Sequence, residues 1–181
     1  MNPDGAIAAE AARVFVALWP TLAVREHLRD VASRLAADAV NARVISASNL
    51  HLTLAFIGPL DEKRVTEIAR RLTAWPTAEF DWVIDHVGYF ERARVVWAGG
   101  RQSAKLFALA SSVRRMLDEL PVTYDRKPFA PHVTLLRDAA RSPTNGTCIQ
   151  PEIVWPCERP TLVRSERRAG GVVYVPVTQH E

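Results

Sequence analysis

The sequence predicts an α+β fold, and three observations carry that expectation. Short runs such as "RVFVAL" and "NLHLTLAFIG" alternate apolar with polar or small residues, as strands with one buried face do. Three longer stretches place apolar residues three and four apart, the spacing of amphipathic helices. These helical stretches are interspersed with hairpin-like strand pairs rather than alternating one-for-one with strands, which favours antiparallel pairing over a parallel sheet. At 181 residues, 48% hydrophobic and 24% charged, the chain has the composition of an ordinary globular protein and the length for a real core.

Taken in order, residues 13–18 form a first strand, closed by Pro20. Val14, Val16 and Leu18 make its core face, leaving Arg13, Phe15 and Ala17 on the other. A helix follows over about residues 21–37, with Val24, Leu28, Val31 and Leu35 as one stripe. The strand containing His51 ends at Gly58-Pro59. "DEKRVTEIARRL" is a second helix, with Asp61 and Glu62 in its first turn and Val65, Ile68 and Leu72 inward. "FDWVIDHVGYF" and "ARVVWAGG" read as a hairpin, and residues 103–120 as a third helix. "YDRKPFAP", a basic loop stiffened by Pro128 and Pro131, leads into a strand carrying His132. The chain closes with strands near 161–165 and 172–177, separated by the turn "RRAGG".

Bulk properties exclude several classes. A net charge of +3, built mostly from arginine, is compatible with an acidic ligand without requiring one. Cys148 and Cys157 match no zinc or redox spacing and read as reduced thiols of a cytoplasmic protein. The opening "MNPDGAIAAEAA" lacks the basic and apolar regions of a secretory signal, and no run is apolar enough to span a membrane. Residues 1–12 and 178–181 are expected to be flexible tails around a single domain at 13–177, and the protein to be a monomer.

The chemistry concentrates in two motifs. In "NLHLTLAFIG", His51, Thr53 and Ala55 point to one face while Leu52, Leu54 and Phe56 point to the other. "PHVTLLR" repeats the arrangement with His132 and Thr134, nearly half the chain further on. In each half a helix precedes the motif and a hairpin-like pair comes after it. Two similar lobes would thus turn both polar faces onto a shared cleft. A strand histidine alone is a weak signal, but this pair, among five histidines in all, is not. Two imidazoles across a cleft suit general acid–base catalysis near neutral pH. Residues two apart on a strand are about 6.5–7 Å apart, so a histidine and a threonine can reach one phosphate. Their hydroxyls can stabilise charge on non-bridging oxygens. Two histidines lack the third ligand that a catalytic zinc usually has, so no metal or other cofactor is expected.

"RVFVALWP", "NLHLTLAFIGPL", "ARVVWAGG", "RKPFAPHVTLLRD" and "LVRSERRAGGVVYVPV" resemble, in that order, segments of the two-histidine phosphoesterases. Within that superfamily the resemblance is to the RNA 2′,3′-cyclic phosphodiesterases, formerly called 2′–5′ RNA ligases. It implies a bilobal, pseudo-twofold fold, with two antiparallel sheets facing a central cleft and helices outside. It implies His51 and His132 as catalytic residues, Thr53 and Thr134 as phosphate-binding hydroxyls, and Arg137 as a phosphate-pairing guanidinium. The expected substrate is an RNA or oligonucleotide end carrying a 2′,3′-cyclic phosphate, opened to a 2′-phosphomonoester. His132 is assigned to water activation and His51 to the leaving ribose oxygen. Phe15 is a candidate stacking platform for a base, or a packing residue. Arg126, Lys127 and Phe129 either guide an RNA end or form a solvated loop. Ligation as the physiological direction, and a non-catalytic module that binds RNA ends, stay open as alternatives.

Overall fold

The computed structural model describes residues 12–39, 41–76, 79–141 and 148–177. Its strands are β1 (Ala12–Leu18), β2 (Arg43–Val44), β3 (Leu52–Leu60), β4 (Phe80–Phe90), β5 (Val95–Gly100), β6 (Val133–Arg137), β7 (Cys148–Cys157), β8 (Thr161–Arg168) and β9 (Gly171–Pro176). Its helices are α1 (Leu22–Asp38), α2 (Glu62–Thr73) and α3 (Ala104–Glu119), with a short 3₁₀ turn at Ala47–Asn49. The two expected tails lie outside the described residues, except that Ala12 is already in β1, paired with Leu60.

Each helix starts where a side chain caps it. Thr21, Asp61 and Ser103 accept from the backbone N–H of Val24, Arg64 and Leu106, satisfying a donor that the first turn leaves unpaired. The sequence-derived stripes are the faces that become buried: Val24, Leu28 and Val31 on α1, and Val65, Ile68 and Leu72 on α2. Of the strands, β7 is absent from the sequence reading, because Pro151 and Pro156 interrupt a run that otherwise alternates. Cys148 and Cys157 stand at its opposite ends, too far apart to bond to each other, and both are free.

The strands form one antiparallel sheet in the order β7-β4-β5-β6-β3-β1-β8-β9, with β2 added to β6. Two separate facing sheets are therefore not what forms. The halves β9-β8-β1-β3 and β6-β5-β4-β7 are joined at the Leu52–Val133 pair between β3 and β6. The internal repeat does not map onto spatial halves either. The hairpin β4–β5 follows His51 in sequence yet lies beside β6, and β8 follows His132 yet pairs with β1. The helices interleave in the same way, with α1 against β6 and β7 and α3 against β3. One core results, running from Val14, Val16 and Leu18 through Leu52 and Val133 to the fully buried Trp82 and Trp155, which face each other across β4 and β7.

Candidate active site

Both histidines stand one residue ahead of their strands, at the seam. Because β3 and β6 are antiparallel about Leu52–Val133, His51 lies across from Thr134 and Thr53 across from His132. The local pseudo-twofold axis passes through that pair, so the two motifs meet head to tail. The cavity they line measures about 280 Å³ and also takes in Arg13, Phe56, Arg137 and Tyr174. Five of the six site residues expected from the sequence thus face one cavity with a free surface. The sixth, Phe15, borders it too. It is 3% exposed, its ring 4.7 Å from His51 and 5.0 Å from Tyr174, so it packs against both in the cavity wall.

The imidazoles are fixed alike. His51 Nδ1 lies 2.7 Å from the Asn49 carbonyl, and His132 Nδ1 2.7 Å from that of Ala130. A carbonyl only accepts, so each Nδ1 carries the hydrogen and Nε2 is the basic nitrogen of each neutral ring. Thr53 Oγ1 then donates to His51 Nε2 at 3.1 Å. Burial pushes the His51 pKa down to about 4, against the Asn49 carbonyl; His132 when protonated, and the Arg137 guanidinium, lower it further. His132 is lowered as well, by burial and then Arg137, against the Ala130 carbonyl. Both rings are therefore neutral at pH 7, beside a guanidinium that favours an incoming anion.

Aromatic rings produce that burial, and the sequence reading missed most of them. Trp19 stacks on His51 at 6.0 Å, and Tyr174 meets it edge-on at 5.0 Å. On the other side, Phe90 and Trp97 lie 5.0 Å and 6.3 Å from His132. Trp19 extends the Arg13, Phe15, Ala17 alternation by one step, so a signal existed; Tyr174 depends on how β9 pairs with β8. Phe56 is also displaced from its expected position. Val16 pairs with Ala55 but Ala17 with Thr53, so Leu54 is an extra residue in the ladder and reverses the alternation beyond it. Ala55 is consequently buried, while Phe56 is 43% exposed and borders the cavity.

Elsewhere, the basic loop is largely self-contained. Arg126 is bound to Asp118 and Tyr124, and Lys127 to Asp125. A larger cavity, about 560 Å³ between the end of α2 and α3, is mostly apolar and holds no histidine. Among the described residues, no three His, Cys, Asp or Glu side chains converge as a metal site, and no helix is long and apolar enough to cross a membrane.

An antiparallel sheet folded around two His-x-Thr motifs defines a phosphoesterase cleft, and the comparisons with known proteins agree. Residues 18–97 match the family described as LigT like Phosphoesterase. The chain is 31% identical over 132 residues to the RNA 2′,3′-cyclic phosphodiesterase of Thermotoga maritima, covering 69% of each protein. To that of Escherichia coli it is 39% identical over 106 residues, covering 56% of this chain and 58% of the relative. The crystal structure of E. coli LigT complexed with 3′-AMP superposes with a TM-score of 0.82 at 29% identity, over 93% of this chain and 97% of that one. The chain belongs to the RNA 2′,3′-cyclic phosphodiesterase family.

Proposed function

We propose that this protein hydrolyses RNA ends bearing a 2′,3′-cyclic phosphate to 2′-phosphomonoesters, using His51 and His132 as an acid–base pair and no metal ion. One observation carries the reading: the two motifs cross head to tail at Leu52–Val133, so both imidazoles and both hydroxyls line one small cavity. A cyclic phosphate held there presents its non-bridging oxygens to Thr53, Thr134 and Arg137. Its attacking and leaving oxygens then point toward opposite imidazoles, as in-line displacement requires.

His132 Nε2 accepts a proton from water as the water oxygen bonds to phosphorus. The P–O3′ bond breaks, and protonated His51 delivers its Nε2 proton to O3′, leaving the phosphate on O2′. His132 suits the water role because it is the less enclosed ring and also borders a second cavity that opens beside the cleft. His51 must be protonated despite a resting pKa of about 4, so the reading requires the bound phosphate's negative charge to raise it. The 3′-AMP complex of E. coli LigT supports a nucleotide phosphate as the ligand class.

The test is hydrolysis of a 2′,3′-cyclic nucleotide after exhaustive chelation, with the product identified by phosphorus NMR. A 2′-phosphomonoester and an unchanged rate are expected; activity lost on chelation and restored by a divalent metal overturns the mechanism. His51→Ala and His132→Ala should each lose most of kcat, and the double variant little more, as for residues that act as a unit. Multiplicative losses would instead indicate two independent binding contacts.

A further inference from the structure

We infer that a second subsite, centred on Arg114 of α3, takes the phosphodiester joining the terminal nucleotide of the substrate to its 5′ neighbour. This rests on the RNA-end reading of the cleft. A cavity of about 260 Å³ opens beside the cleft and shares Thr53, Phe56 and His132 with it. A 2′,3′-cyclic phosphate closes the 3′ end of its chain, so the rest of the RNA can leave the cleft only through O5′. A groove continuous with the cleft on the His132 side is therefore where the 5′ nucleotide would lie.

The side chains there match one phosphodiester and a flat apolar group. The charged groups lining the cavity are Arg114, Lys127 and Asp125. Lys127 Nζ is 2.9 Å from Asp125 Oδ2, so those two charges offset each other and Arg114 supplies the net positive charge. Arg114 makes no ion pair among the described residues; it donates to the Lys127 carbonyl at 3.1 Å, and its buried Nε has no partner. Its guanidinium lies about 6 Å from the rings of Tyr124 and Phe129, which hold it in place without neutralising it. Phe56, Pro128 and Phe129 supply the apolar wall. Arg126, the more conspicuous cation in the sequence, is committed to Asp118 and is not part of the subsite.

The experiment compares a 2′,3′-cyclic mononucleotide lacking a 5′-phosphate with a dinucleotide ending in the same cyclic phosphate. The wild-type protein should favour the dinucleotide in kcat/KM. Arg114→Gln should remove about tenfold or more of that advantage while leaving mononucleotide hydrolysis unchanged, since a hydrogen bond to a charged group is lost only where the second phosphate exists. Arg114→Lys should restore part of it. Binding of the 3′-phosphorylated mono- and dinucleotides by titration calorimetry reports the same difference without turnover, and its salt slope should fall by about 0.7 in Arg114→Gln. Equal affinity of wild type for the two ligands, or an equal loss on both in Arg114→Gln, overturns the subsite. Absence of hydrolysis with the binding difference intact overturns the catalytic reading alone.

Discussion

His51 is held by one carbonyl, the Thr53 hydroxyl and three aromatic rings, and the enclosure that orients it also decides its charge. In the folded protein it stays neutral down to about pH 4, whereas in an unfolded chain it takes up a proton near 6.5. Between those values the unfolded state binds the extra proton, so stability falls as pH falls, by up to about 1.4 kcal/mol per pH unit for this group. Above pH 6.5 the group contributes no pH dependence, and below about 4 its penalty is fully developed. His132, also lowered, acts in the same direction. Denaturant melts between pH 7.5 and 4.5 should show this decline, and His51→Gln should show a shallower one. An identical decline in the variant would mean that the imidazole is not held neutral by the fold.

At the level of elements, β9 is an edge strand whose attachment determines whether Tyr174 reaches His51. Besides its ladder with β8, β9 is clasped by Asn49: its side-chain amide donates to the Val172 carbonyl at 2.7 Å and accepts from the Tyr174 N–H at 3.1 Å, while its own carbonyl holds His51 Nδ1. His132 has no counterpart, because Ala130 occupies the matching place. Asn49→Ala keeps the carbonyl and removes the clasp. It should lower kcat about tenfold and let water into the aromatic cage, so that the His51 pKa, followed by NMR, rises from about 4 toward its ordinary value. A wild-type His51 titration in this variant would show that β9 does not bury the ring. On the opposite side, two glycines make room for Trp97. A Cβ on Gly88 would fall 2.1 Å from its indole and one on Gly99 2.4 Å, so only glycine allows that ring to lie beside His132.

For the molecule as a whole, the interleaving matters more than the symmetry. Each half of the sheet contains strands from both halves of the chain, and α1 and α3 each cover the half opposite to the strand before them. Neither half can bury its apolar face without the other, and the core is continuous through the seam. Unfolding should therefore be a single cooperative transition, with calorimetric and van't Hoff enthalpies equal. Separate transitions, or a stable fragment ending between β5 and α3, would show that the halves fold independently.

The residue pattern alone determined the three helices, most strands, the core face of β1 and the placing of His51 with Thr53, and of His132 with Thr134, on one face of each motif. These depend on periods of 3.6 and 2, which are local and written directly in the chain. What the tertiary structure decided is non-local. The bulge at Leu54 turned Phe56 toward the cleft, the pairing of β1 with β8 and β8 with β9 brought Tyr174 to His51, and the close approach of Gly88 made space for Trp97. The joining of the expected two sheets into one depended on a single pair between strands far apart in the chain. Periodicity states which way a side chain points along its own strand, but only register between strands states what it meets, and register is set by the packing of the entire core.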